Sequence, residues 1–285
     1  MNEITLKFGT ERPELTVMIP MFRGRYIGWV ALESLIRQRG KIPPWELIIA
    51  EEQNDETMGF DAIRPFLDRG LLEHNCKRLT YFALDKWIPL GSKMNLMASA
   101  ADPYSIAYIF HAADYYSTPM RLVETYEAFK NPKTLWFIPP KMYIYNVQKP
   151  DHILFVDKGK AERRDDTSGK AIRGWLVRRI KNYLEGVPHG VDGLIRRSVE
   201  RILAKPVDFT VNESESWRHN LVVNGFGTLS NRRVHKRFRR PQNWNGASSV
   251  FSGCLQEIVP AEIAYKLERA HDYIRKHNST RGALG

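Results

Sequence analysis

The feature that most constrains this chain is a regular alternation of short apolar runs with amphipathic stretches through its first half. "LTVMIP" (Leu15–Pro20) reads as a strand, Tyr26 to Arg39 carries Ile27, Val30, Ala31 and Leu35 at helical spacing, and "WELIIA" (Trp45–Ala50) is the next strand. The pattern repeats with a helix near Asp61–Asp68, the strand "LTYFAL", a helix over Lys93–Ala101 and the strand "IAYIF". A helix over Pro119–Lys130 and the strand "LWFIPP" continue it. Strands that alternate with helices need right-handed crossovers, so this spacing predicts an α/β fold: a mostly parallel central sheet with helices on both faces.

From about residue 140 the character changes. "KMYIYNV" and "HILFVDK" read as a hairpin, "KGKAERRDDTSGK" as a charged loop, and Gly174–Leu184 and Asp192–Leu203 as helices. "AEIAYKLERAHDYIRKHN" near the end is amphipathic, with Ile263, Leu267 and Tyr273 among its apolar positions. No repeat or low-complexity linker interrupts the chain, which divides by character into residues 1–140 and an elaborated half, 141–285.

The chain has 285 residues, 43% of them hydrophobic and 11% aromatic, ample for a packed core. No apolar run reaches the roughly 18 to 20 residues of a membrane-spanning helix, and "MNEITLKFGTERPEL" lacks the basic-then-apolar order of a signal peptide, which predicts a cytoplasmic protein. Cys76 and Cys254 have no metal-ligand spacing and are expected as reduced thiols. Lysine and arginine number 43 against 32 acids, a net charge of +11, which favours phosphates, nucleic acid or an anionic membrane surface as partners. Part of the excess is concentrated in "NRRVHKRFRRPQNW", where Arg232, Arg233, Lys236, Arg237, Arg239 and Arg240 surround Phe238 and precede Trp244.

Open sheets of the expected kind keep ligands at the carboxyl ends of their strands. Polar residues gather there: "PMFRGR" after the first strand, Glu51, Glu52 and Asp55 of "EEQND" after the second, and "HAAD" with Asp114 after the fourth. Acids in such places also cap the helices that follow, so this observation alone leaves two readings open.

These residues carry a resemblance. "VMIPMF", "ALESLIRQ", "WELIIAEEQND", "LGSKMNLMASAA" and "HAADYYSTPMRL" follow one another in the order of the motifs of family-2 glycosyltransferases of the GT-A fold, over residues 15 to 125. "IRGWLVRRIKNYLEGVPHGVDGLIRRSVERI" is similar, more weakly, to that family's acceptor and base segment. The resemblance implies a Rossmann-like GT-A domain that binds a nucleoside-diphosphate sugar, a UDP-sugar by preference, and transfers the sugar to a hydroxyl. It places Pro20, Phe22, Glu51, Glu52, Lys93 and Asp114 at the donor, Glu51 and Glu52 at its base and ribose. Asp114 matches the last acid of the family's metal motif, while His111 and Ala113 stand where acids are usual. The implied cofactor is Mn²⁺ or Mg²⁺, with Asp114, His111 and His219 as candidate ligands on an incomplete motif. Asp192 of "HGVDGLIRR" matches the general base of inverting members and fits the N-terminus of a helix equally well.

The acceptor is less legible. Arginines interleaved with aromatics suit a polyanion groove, so the six basic residues from Arg232 to Arg240 are expected to bind the acceptor. DNA carrying hydroxymethylated bases, as used by virus-encoded DNA-modifying glycosyltransferases, is the first candidate. A surface glycan or lipid-linked acceptor, with peripheral membrane contact, is the second. A non-catalytic binding protein on the same scaffold is the alternative from another class.

Overall fold

Trp45–Glu52 is buried at all eight positions, the mark of a strand covered on both faces. It is β3 of an eight-stranded sheet in the computed structural model, which describes residues 1–22, 24–139, 141–147, 153–157, 169–180, 184–187, 191–211, 214, 218–224 and 248–270. The strands are β1 (Asn2–Lys7), β2 (Leu15–Met21), β3, β4 (Cys76–Leu84), β5 (Ala107–Phe110), β6 (Tyr115–Tyr116) and β7 (Trp136–Ile138). They continue as β8 (Lys141–Asn146), β9 (Ile153–Asp157), β10 (Ala171–Arg173), β11 (Phe209–Val211), β12 (Leu221–Asn224) and β13 (Ser248–Phe251). The helices are α1 (Gly24–Leu35), α2 (Phe60–Ile63), α3 (Leu90–Ala100), α4 (Arg121–Lys130), α5 (Gly174–Ile180) and α6 (Val191–Leu203).

The large sheet runs β1-β4-β3-β2-β5-β10-β7-β11. Its centre, β4-β3-β2-β5, is parallel, as the alternation of strands and helices requires. Two strands depart from the expected pattern. β1 pairs antiparallel with β4 and closes that edge, while β10 runs antiparallel between β5 and β7. Successive side chains of a strand point to opposite faces. On one face Val17, Ile19, Leu47 and Ile49 therefore pack with Ile27 and Val30 of α1 and Leu122 of α4. On the other, Met18, Ile48 and Ala50 meet Met97 of α3, Leu176 of α5 and Ile195 of α6.

β8 and β9 form the expected antiparallel hairpin, now part of a second sheet of order β13-β9-β8-β12-β6. The halves of the chain interlock: β6 joins this sheet from before residue 140, and β10 and β11 join the large sheet from beyond it. The helix expected near Asp61–Asp68 is two short pieces, α2 and a π-helical turn at Leu67–Leu71. Among the described residues no helix is long and apolar enough to cross a membrane.

The helical residues 261–270 are held to α1 by charge. Glu33 is buried and accepts hydrogen bonds from Arg37, from Arg69 Nη2 at 3.0 Å and from Lys266 Nζ at 3.1 Å. Burial alone would raise the Glu33 carboxyl, but hydrogen bonds from Arg37, Lys266 and Arg69 outweigh it and hold the group below its ordinary 4.5. A depressed carboxylate stabilises the fold above its unfolded value and loses that contribution as pH falls through its folded value. Glu33→Gln should cost about 3 kcal/mol at neutral pH, the scale of breaking a buried ion pair. Thermal unfolding of both proteins across pH checks this, with the gap expected to close below 4.5.

Candidate functional site

The chain order places a topological switch between β2 and β5. From β2 the chain steps one way to β3 and β4, then returns past β2 to lay down β5 on its other side. Connections therefore diverge from this point and leave a crevice outside the carboxyl ends of the strands. Those ends are Pro20 and Met21, with Phe22 next, then Glu51 and Glu52, and Phe110 leading to Asp114.

Glu51 and Glu52 end β3 and point to opposite faces. Glu51 turns toward α1. Its carboxylate accepts from the Met58 amide at 2.8 Å, the Gly59 amide at 3.2 Å and the Tyr81 hydroxyl at 2.9 Å. Burial raises its pKa, and these hydrogen bonds pull against the rise. A Cβ on Gly24 would lie 2.2 Å from Glu51 Oε1, so the start of α1 can approach only as glycine. Glu51 thus fastens the 53–59 loop and α1 around the crevice.

Glu52 turns toward α3. The Lys93 ammonium donates to Glu52 Oε2 at 2.5 Å and to the Met21 carbonyl at 2.6 Å, joining the ends of β2 and β3. Burial lowers the Lys93 pKa, opposed by the charge and hydrogen bond of Glu52. Glu52 is only 3% exposed, yet among the described residues its second oxygen, Oε1, has no hydrogen-bond partner. A buried acceptor left in this state demands an explanation, and a ligand donor supplies one.

Asp114 lies in the turn between β5 and β6. Its carbonyl accepts from the Val223 amide at 2.7 Å, which fixes the turn against β12. Its half-buried carboxyl is pushed up to about 6 by burial. Asn220, buried beside the same turn, accepts from the Tyr115 hydroxyl at 2.7 Å and the Thr118 amide at 3.1 Å. Asn220 also donates to the Lys141 carbonyl at 3.2 Å. Nothing in the sequence marks Asn220, because a buried asparagine is recognisable only once its partners are known.

His111 is completely buried, with Nδ1–H donating to the Ala112 carbonyl at 3.0 Å and Nε2 at 3.4 Å from Ser34 Oγ on α1. Burial, followed by the Arg121 charge, lowers its pKa to about 4, so the ring is neutral. The sequence reading of His111 as a metal ligand therefore meets a ring whose two nitrogens both face protein atoms. His219 is exposed and donates from Nδ1 to the Ile258 carbonyl at 2.9 Å.

Asp192 sits in the first turn of α6, where the helix dipole favours a carboxylate. It forms an ion pair with Lys170, which sequence reasoning placed in a charged loop. Arg232, Arg233, Lys236, Arg237, Arg239 and Arg240 lie outside the described residues.

Neither protein-family profiles nor curated proteins match this sequence. Solved structures do. Residues 1–349 of S. aureus TarS, in complex with UDP-GlcNAc, are similar at 12% identity and a TM-score of 0.54 over 75% of this chain. The chain spans 59% of that TarS fragment. The mannosyltransferase PcManGT from Pyrobaculum calidifontis, in complex with GDP-Man and Mn²⁺, is similar at 12% identity and a TM-score of 0.52, over 95% of this chain and 76% of its own. The chain has the GT-A fold of these glycosyltransferases, as its motifs imply.

A divalent ion fits this site poorly as a protein-built centre. Among the described residues no three His, Cys, Asp or Glu side chains are grouped so as to hold one, and His111 is engaged elsewhere.

Burial of Asp114 comes at a cost to the fold. A carboxyl raised from 3.8 to about 6 destabilises the fold increasingly as pH rises through that window, and fully above it. Asp114→Asn should therefore stabilise the protein at neutral pH, on the order of 1 kcal/mol because water reaches part of the group. Thermal melts should show the gain vanishing below 3.8.

Proposed function

We propose that the chain is a glycosyltransferase that takes a sugar from a nucleoside-diphosphate sugar, a UDP-sugar, and moves it with inversion to a hydroxyl acceptor. The observation that carries this reading is Glu52: a buried carboxylate with one oxygen tied to Lys93 and the other without a partner among the described residues, at the switch point of a GT-A sheet. That oxygen suits an imide N–H of the base or a ribose hydroxyl. Pro20 and Phe22 would border the same pocket, with Lys93 holding its floor and Glu51 its wall. Asp114 would face the diphosphate.

In the transfer step the acceptor oxygen bonds the anomeric carbon. The bond from that carbon to the diphosphate oxygen breaks, and its electron pair leaves with the diphosphate. Asp192 takes the hydroxyl proton from the side opposite the leaving group. A bound Mn²⁺ or Mg²⁺, where one is recruited, would neutralise the diphosphate.

For the acceptor we infer DNA bearing hydroxymethylated bases. The net charge of +11 and the arginines from Arg232 to Arg240 support it. So do exposed arginine–aromatic stacks, Arg12 over Tyr104 at 4.1 Å and Arg179 over Trp175 at 5.0 Å. A protein with these duties acts in the cytoplasm.

Two measurements test the reading. Calorimetry should detect UDP binding that Glu52→Gln weakens about tenfold or more, the worth of a hydrogen bond to a charged group. Mass spectrometry of nucleosides from hydroxymethylcytosine DNA, incubated with pooled UDP-sugars, should show a one-hexose gain that Asp192→Asn removes. Absence of UDP binding would sink the donor assignment. UDP release without modified nucleosides would move the acceptor to glycans.

A further inference from the structure

We propose that Lys170 is the positioning residue for Asp192: it holds the carboxylate ionised and aimed at the acceptor while touching neither substrate. The inference rests on the transferase reading above and deepens its account of the base.

The placement of Lys170 follows from β10. Ala171, Ile172 and Arg173 pair with Ile109, Tyr108 and Ala107, so Lys170 falls beside Phe110 at the carboxyl end of β5. Two backbone hydrogen bonds fix it there, Phe110 N to Lys170 O at 2.8 Å and Gly169 N to Phe110 O at 3.0 Å. Gly169 adopts φ +76°, and a Cβ there would lie 2.3 Å from the Tyr115 ring, so the backbone just before Lys170 is locked against β6. Strand alternation then sends Lys170 to the same face as Ile172, the face on which α6 packs through Val191 and Ile195.

The ion pair is unequal. The Lys170 side chain is 3% exposed, with the Phe110 ring 5.6 Å from its ammonium, whereas the Asp192 side chain is 40% exposed. A buried ammonium needs its counter-charge, but a carboxylate in contact with water does not depend on the lysine for solvation. The bond to Asp192 Oδ1 therefore anchors one carboxylate oxygen from inside, while the side chain as a whole remains in contact with water.

Several charged groups on the surrounding elements have partners of their own. On α6, Arg196 lies 3.8 Å from Glu200. From α5, Arg178 hydrogen-bonds Tyr108, and from α3, Lys93 is bound to Glu52. His111 of the β5 end is turned toward Ser34 on the opposite face, and Asp114 follows it in the turn. Lys170 is the cation directly ion-paired with Asp192.

The test is Lys170→Met, assayed by hydrolysis of pooled UDP-glucose, UDP-galactose and UDP-N-acetylglucosamine, with water as acceptor. Loss of an adjacent cation raises a carboxylate pKa by roughly one to three units, so the acidic limb of the kcat/KM profile should move up by about that much. Calorimetric UDP affinity should stay unchanged, kcat should fall at neutral pH, and Lys170→Arg should restore the limb. A superimposable profile in an active protein overturns the inference alone. A fall in UDP affinity overturns it by making Lys170 a diphosphate contact. No hydrolysis and no UDP binding by the unsubstituted protein overturns the transferase reading as well. Because Asp192 keeps its water, Lys170→Met should fold, as circular dichroism would report. If neither it nor Lys170→Gln folds, the pair is structural and the inference fails.

Discussion

Two adjacent glutamates at the end of a buried parallel strand impose the constraint around which the site is arranged. Period-two geometry sends Glu51 and Glu52 to opposite faces, and neither face offers bulk water. Each carboxylate must therefore find donors within the protein. Glu51 finds backbone amides, which requires the 53–59 loop to fold over it and α1 to begin with Gly24. Glu52 finds Lys93, which requires α3 to start beside the β2 and β3 ends. The walls of the crevice are thus consequences of satisfying two charges.

Most of the fold is legible in the sequence because its central strands each carry a continuous apolar run and alternate with helical patterns. β2, β3, β4 and β5 with α1, α3 and α4 emerge from period alone, and β8 and β9 from their alternation. The rest escapes for physical reasons. β1 has only Ile4 and Leu6 on its partly buried face and depends on β4 for its existence. β6, β10 and β11 have two or three residues each, too few for any periodicity. Their strand character comes from neighbours already in place, which is tertiary information.

The site divides in the same way. Carboxylates at strand ends are visible because acids after apolar runs stand out. Lys170 is not, since "DDTSGK" reads as a solvated loop and lysines are seldom buried. Its burial appears only when β10 is seen to slot between β5 and β7. His111 is the reverse case. A histidine in a motif position invites a ligand role, and in the structure its buried ring lies between Ala112 and Ser34.

A purely structural duty would not explain the electrostatics at the strand ends. Among the described residues Glu52 Oε1 is buried without a donor, and Asp114 sits where burial raises its pKa. Replacing Asp114 by an uncharged residue would relieve local cost, whereas Glu52, paired with buried Lys93, and Glu33, with three cationic partners, have no such relief to give. The distinction lies in which charges are satisfied from within. Glu33 and Glu51 are; Glu52 is half satisfied; Asp114 sits at the mouth with its carboxyl raised toward neutrality. Among these four carboxylates, the demand not met from within the described residues is greatest at the strand ends beside the switch point.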